Sequence, residues 1–278
     1  MTVKIITDST SDIAPELAQE LGIKVVPGYI KFGKETYRDG VDISKSDFYR
    51  QLADYPLSPV TSEANAKDFA EAFSSFQNAS EGIVSIHISS QLSRMYDEAR
   101  KGSKKVKNDW TIEVIDSRFA SMGLGLIVIN AARLANSGEN IQNIVKETEK
   151  AIQRVSMLGL FDNLEYAAKG GRVTKHVMEL SGIYKIKPLL TSQGGEIVVE
   201  GLARTYQNGI DSLTQFVHSA SSVQDLGIAY STDYNSAIAL KQQLVSVVHE
   251  QRIYVEQMGA ALGAHCGPDA LFVAVRSK

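Results

Sequence analysis

Apolar and polar positions along the chain follow two periods, and the switches between them set out the elements. Val3 to Thr7 and Gly82 to Ile88 are apolar runs rich in β-branched residues, with the length of strands buried on both faces. Ile23 to Val26 and Thr111 to Ile115 are two more strand patterns. Between them the spacing turns helical: Ile13 to Leu21 with Pro15 near its start and Gly22 behind it, Ser44 to Asp54, Ala66 to Phe76, a helix from Leu92, Phe119 to Ala135, and Ile141 to Arg154 with Glu147 and Glu149 facing outward. Tyr29 to Tyr37, broken at Gly33, has the form of a hairpin or edge excursion, and Pro56 and Pro59 punctuate a loop that runs to Asn65. Phe119 to Ala135 is apolar nearly all round, which predicts a helix buried as core, or as the wall of a greasy pocket, with core favoured.

The strict strand–helix alternation stops near Ser156. Beyond it come a strand at Ser156 to Phe161, a short helix at Asn163 to Lys169 closed by Gly170-Gly171, and a hairpin signal at Gly194-Gly195 flanked by Ile183 to Leu190 and Ile197 to Ala203. Helical patterns at Gly209 to Ala220 and Asn235 to Glu250 alternate with strands at Leu226 to Tyr230 and Ile253 to Gln257, and a loop from Gly263 to Pro268 precedes a last strand, Leu271 to Val275. The expectation is an α/β protein of two domains. Residues 1–156 form an N-terminal α/β domain with a mostly parallel sheet and flanking helices, and residues 157–278 a C-terminal α/β domain with a mixed sheet and helices.

Composition narrows the function. At 278 residues and 44% hydrophobic content the chain can bury a sizeable core. Its formal charge of -3, from 29 basic and 32 acidic residues, gives no electrostatic reason to expect nucleic acid or a strongly anionic membrane, so a small ligand fits better. The start runs directly into a strand pattern and no apolar stretch is long enough to span a bilayer, so the expectation is a cytoplasmic protein without a transmembrane segment. A single cysteine, Cys266, excludes an internal disulfide and a cysteine zinc site, and the sequon Asn78-Ala79-Ser80 is treated as chance. The basic run Lys101, Lys104, Lys105 and Lys107 is explained by favourable charge at a helix end, with a docking patch as the other possibility.

The recurring chemical feature is hydroxyl residues where strands give way to helices: Ser9 to Ser11, Thr61 and Ser62, Ser89 to Ser93, and Ser117. One serine there is ordinary helix capping; the three in Ser89-Ser90-Gln91-Leu92-Ser93 exceed what a cap needs and suit an anion such as a carboxylate or phosphate. Dinucleotide, P-loop and nucleophile-elbow motifs are missing, and His87, His176, His218, His249 and His265 lack metal-ligand spacing. His265 and Cys266, neighbours in what is taken as an extended segment, point to opposite faces and make no dyad. Asp8, Asp12 and Asp116 leave one alternative open, a metal-dependent enzyme acting on a small phosphorylated or carboxylated metabolite, although Asp8 and Asp12 also suit an Asx turn and a helix cap.

These corners, taken in order, resemble the DegV family of bacterial fatty-acid-binding proteins. The resemblance rests on Thr7-Asp8-Ser9-Thr10-Ser11-Asp12, Thr61-Ser62, Ser89-Ser90-Gln91-Leu92-Ser93 with Tyr96, Asp116-Ser117, Gly170-Gly171-Arg172, Arg204, Gly263-Ala264-His265 and Gly267-Pro268, which span nearly the whole chain. It implies a carrier, not an enzyme, that encloses one long-chain fatty acid in an apolar tunnel and needs no other cofactor. The carboxylate is held by Thr61 and Ser93 with His265 near it, and Ser62 and Ser90 are further ligand candidates. It implies as partner a separate ATP-dependent fatty acid kinase that makes the acyl phosphate for phospholipid synthesis, with Arg172 and Arg204 as contacts to the partner or the acyl phosphate. Arg94 and Met95 stand where the family pattern has Gly-Thr, and Asp269 where it favours glycine. Arg94 is then either a solvated side chain, which is favoured, or an added cation or obstruction at the carboxylate.

Overall fold

The computed structural model of the protein describes residues 2–54, 58–76, 80–106, 110–173 and 186–278. Pro56, Asn78, Ala79, Lys107, His176 and the predicted strand start at 183–185 lie outside the described residues. The first half builds a four-stranded sheet in the order Ile23–Val26, Thr2–Asp8, Ser80–His87, Thr111–Asp116, every pair parallel. Helices return the chain between these strands, as parallel pairing requires. Their ends carry sequence-encoded stops: Pro15 opens the Pro15–Leu21 helix and left-handed Gly22 closes it, while Asn65 and Asp68 form a capping box on Ala66–Ser74. An excursion from this sheet forms a three-stranded antiparallel sheet of Glu35–Arg38, Tyr29–Phe32 and Val60–Ser62.

The second half is a six-stranded mixed sheet in the order Glu196–Ala203, Lys187–Gln193, Val155–Leu160, Leu271–Ser277, Val223–Tyr230, Ile253–Gln257. All its pairs are antiparallel except the last. Between the two large sheets runs the helix Ser121–Asn136, packed on Thr2–Asp8 on one side and on Val223–Tyr230 and Leu271–Ser277 on the other. Leu124, Leu126, Ile127 and Val128 on it have no exposed surface, so it is core, while Ala120 just before it reaches the cavity described below. Its approach to both sheets depends on missing side chains: a Cβ on Gly125 would sit 2.6 Å from the Ser11 carbonyl, and one on Gly227 2.6 Å from Met122. A single cluster of buried side chains therefore joins Ile5 and Ile86 to Met157 and Phe272 across the sheets.

Four expectations change. The helix expected from Leu92 begins at Met95, because Ser93 Oγ accepts the Met95 N–H and makes a turn of the preceding residues. The segment Gly263 to Cys266, expected as a loop, belongs to a helix, Ala260–Cys266; its pattern Ala-Ala-Leu-Gly-Ala-His-Cys is too short for a helical period to stand out. The helix expected to reach Glu250 stops at Leu244, where Val245, Val247 and Val248 lower helix propensity, and a short 3-10 turn follows at Glu250–Arg252. Glu147 is half-buried and pairs with Lys150 at 2.7 Å, whereas Glu149 faces out as expected.

Candidate functional site

The two large sheets and the Ala260–Cys266 helix enclose a cavity of about 990 Å³, counting its open mouth. Its walls are apolar: Ile88, Leu92 and Met95 from the first sheet's side, and Met157, Phe161, Leu190, Ile197 and Phe272 from the mixed sheet. Met95 fits because Gly28 opposite has no side chain; a Cβ there would stand 3.1 Å from its methyl.

Two polar residues in the lining have spent their hydroxyls elsewhere, Thr10 on Asp8 at 2.5 Å and Thr191 on the Met157 carbonyl at 2.7 Å. The remaining polar lining is Thr61, Ser62, Glu63, Ser93, Arg172 and His265. The strand Val60–Ser62 delivers Thr61 to the last turn of the Ala260–Cys266 helix, where Thr61 Oγ1 lies 2.8 Å from His265 Nε2. Glu63 is paired with Arg94, and that bond and the charge of Arg172 outweigh partial burial to hold its carboxyl below the usual range. Arg172 donates to the Gly170 carbonyl at 2.6 Å and stays exposed.

Burial, with a smaller push from Arg172, lowers the His265 pKa to about 4, so the ring is neutral at pH 7. Its buried Nδ1 has no hydrogen-bond partner among the described residues and packs on Gly170, where a Cβ would stand 2.0 Å away. A bare lone pair there costs less than an unpaired N–H, which places the proton on Nε2. Nε2–H then donates to Thr61 Oγ1, and the Thr61 hydroxyl hydrogen is left to donate into the cavity. Ser93 is in the same condition: its Oγ accepts the Met95 N–H at 3.3 Å, and its hydrogen has no acceptor among the described residues. Two neutral donors thus stand at the rim of an apolar space, an arrangement that suits a carboxylate on an apolar tail.

Of the residues expected at the site, Thr61, Ser62, Ser93, His265 and Arg172 line the cavity; Ser90 and Arg204 are not among its lining. The Ser90 N–H is turned toward Asp116 at 3.3 Å, and Arg204 is exposed after the strand Glu196–Ala203. Ser89 joins the sheets, donating to the Gly195 carbonyl at the hairpin tip at 2.7 Å. Arg94 is largely solvated, as favoured, but its partner Glu63 was missed. So were the walls Met157 and Phe161, although with Gly159 they alternate along one stretch of chain, a period-two signal that marks one face. His265 and Cys266 are neighbours on a helix, not in an extended segment; both line the cavity, with no hydrogen bond between them, and burial pushes the thiol well up.

The carboxylates of the metal alternative are engaged within the fold. Asp8 accepts from Thr10 N, Thr10 Oγ1, His87 Nδ1 and Ile88 N, and Asp12 from Ser121 Oγ and Gly259 N. Asp116 accepts from the N–H groups of Ser90 and Arg118, and the strand ending at His87 separates it from Asp8. Among the described residues no group of three or more His, Cys, Asp or Glu is placed to hold a metal ion.

Fold and cavity together define the class: an α/β protein of two large sheets and one small one, enclosing an apolar pocket with hydroxyl donors and a neutral histidine at its rim. The chain belongs to the DegV family, described as a family of uncharacterised proteins, whose model matches residues 2–278. A DegV domain-containing protein of Caldanaerobacter subterraneus is 31% identical over 99% of both chains. Among solved structures, a DegV family protein from Thermus thermophilus, described by its fatty acid binding, superposes with a TM-score of 0.91 at 26% identity over 100% of both chains. DegV of Bacillus subtilis, described as a fatty acid binding protein, shares the fold with a TM-score of 0.91 at 24% identity over 100% of both chains.

Proposed function

We propose that this protein binds one long-chain fatty acid, with the acyl chain in the apolar cavity and the carboxylate at Thr61, Ser93 and His265. The observation that carries this reading is the placement of the Thr61 and Ser93 hydroxyls, beside His265, at the rim of a largely apolar cavity. Each buried methylene contributes roughly 0.8 kcal/mol, so the tail supplies the affinity and the hydroxyls decide which end faces out. The fatty acid binding described for the Thermus thermophilus relative supports the same ligand class. Ser62, exposed at the rim, is a secondary contact.

On this reading the protein is a cytoplasmic carrier without its own catalysis or a further cofactor, and it offers the carboxylate to a separate ATP-dependent kinase. Among the described residues no helix is long and apolar enough to cross a membrane. Arg172, exposed at the rim, is the partner contact proposed here, and Arg204 a more distant one. The division at residue 156 is proposed as the domain boundary, near the first strand of the mixed sheet. Mass spectrometry of an organic extract of the purified protein tests the reading: a long-chain acid is expected at close to one per chain. A chain that stays empty when offered such acids overturns it.

A further inference from the structure

At the opposite end of the mixed sheet from the cavity, one aspartate gathers three arginines. Asp225 is 1% exposed, and its carboxylate accepts from Arg133 at 3.0 Å, from Arg252 at 3.2 Å and from Arg276 through Nε at 2.9 Å. Asp225 and Arg276 are paired across neighbouring strands, and Arg276 is 8% exposed. One carboxylate offsets one positive charge. Arg276 is buried, whereas the Arg133 and Arg252 side chains are 30% and 45% exposed, so the group keeps an excess of positive charge within reach of a dissolved anion.

Beside this group a polar cleft opens between the helices Ser121–Asn136 and Ile141–Arg154 and the sheet, lined by Asn130, Glu147, Arg154, Gln224 and Arg276 with Leu134 and Ala151. The lining positions are spaced to share one helix face, 130 and 134 on the first helix and 147, 151 and 154 on the second. Arg154 is exposed and has no hydrogen-bond partner among the described residues, and Glu147 is already paired with Lys150. Arg276 Nη1 is held by Gln224 Oε1 at 2.5 Å, which fixes its guanidinium at the cleft wall. The cleft wall thus carries Arg154, Arg276 and Glu147, and the Arg276 partner Asp225 is also met by Arg133 and Arg252.

We propose that this cleft is a binding site for a doubly charged oxyanion of the phosphate class, held between Arg154 and Arg276 with the Asn130 amide as a neutral donor. The planar fork of Arg154 can pair with two phosphate oxygens, while Arg276, with Nε and Nη2 on Asp225 and Nη1 on Gln224, offers the N–H groups these bonds leave over. The site is distinct from the fatty-acid cavity, with which it shares no lining residue, and stands independently of the function proposed for that cavity.

Isothermal titration of the full chain with inorganic phosphate at fixed ionic strength tests the proposal. Saturable binding is expected, weakened about tenfold in Arg154→Gln, the loss of one charge-assisted contact. Arg154 is exposed, so that variant keeps the fold, which circular dichroism checks; Glu147→Gln, which removes a like charge, strengthens binding. Glycerol phosphate run in parallel separates the sources, tighter binding assigning the site to a phosphate ester and weaker binding to the free ion. No saturable binding of either probe, or equal binding by the parent chain and Arg154→Gln, overturns the proposal.

Discussion

His87 and His265 each meet a hydroxyl at hydrogen-bond distance, Ser85 at 2.6 Å and Thr61 at 2.8 Å, and both belong to corners that the sequence marks with polar residues. Around His87 every valence is used. Its other nitrogen meets Asp8 at 2.9 Å, the Asp8 oxygens accept three more hydrogen bonds, and Ser85, His87 and Asp8 have no exposed surface. Around His265 capacity is left over: Nδ1 has no partner among the described residues and the Thr61 hydroxyl borders an apolar cavity. The first group has the composition of a hydrolase triad and closes the end of a sheet. Residue type does not separate the two; unspent hydrogen-bonding capacity beside space does.

The largest effect should come from opening the closed group. Asp8→Ala strands the His87 ring nitrogen, the Ile88 N–H and the Thr10 N–H in the interior and is expected to cost about 3 kcal/mol or more. The shift of the urea midpoint reads this, and an unchanged midpoint would contradict the structural role assigned here. A pH effect follows at His265. Its folded pKa, about 4, lies below the ordinary 6.5, so its contribution is present above 6.5 and is lost as pH falls toward 4. Asp12 and Glu256 act in the opposite sense, since burial raises them to about 6 and about 7 and the protonated folded form is favoured as pH falls. The total pH profile therefore mixes signs, but the stability difference between the parent chain and His265→Gln isolates the imidazole and should shift against the parent by up to about 3 kcal/mol between pH 7 and pH 4. Binding a carboxylate should raise the imidazole pKa, which NMR titration of empty and loaded protein measures.

Gly170→Ala comes next. The added methyl would meet His265 Nδ1 at 2.0 Å, so the ring must move and its bond to Thr61 stretches. A cost of about 2 kcal/mol in stability is expected, together with weaker fatty-acid binding, read by chemical denaturation and by displacement of a fluorescent acid. Full binding in this variant would mean that ring placement is not what holds the carboxylate.

How far the sequence revealed this site follows from the same distinction. The parallel sheet, the buried helix Ser121–Asn136 and the Gly194-Gly195 hairpin were legible because each depends on a local pattern, an apolar run, an apolar period or a turn dipeptide. Thr61, Ser93 and His265 were identified through their place in the family's ordered motifs, not through chemistry visible in this chain alone. What could not be read was which serines are spent. Ser89 gives its hydroxyl hydrogen to Gly195, 106 residues away, and Ser90, whose backbone N–H is held by Asp116, does not line the cavity, so two of the three serines at one corner lie outside the site. The helix carrying His265 was lost for a different reason. Seven residues with three alanines and a glycine carry little periodicity, and Asp39, far away in sequence, holds its start by accepting from the N–H groups of Ala260 and Ala261.

The smallest effects test whether the unspent hydroxyls are the anchor. Thr61→Ala and Ser93→Ala each remove one donor hydrogen while leaving the walls intact, so about 1 kcal/mol of binding, roughly five- to tenfold in affinity, should be lost in each. Stability should change less in Ser93→Ala, because the Ser93 hydroxyl accepts the Met95 N–H and has no other partner among the described residues, than in Thr61→Ala, which leaves a second His265 nitrogen unmet. Arg94→Ala is the control, since its side chain is 74% exposed and its partner is Glu63, not the cavity donors. If Arg94 is only the solvated partner of Glu63, removing it frees a carboxylate at the rim and weakens acid binding slightly, more at low salt than at high. If it bound the carboxylate directly, its loss would equal or exceed that of Ser93→Ala. Affinities of the three variants for one acid at two salt concentrations decide between these, and the arrangement of Arg94 on Glu63 favours the first.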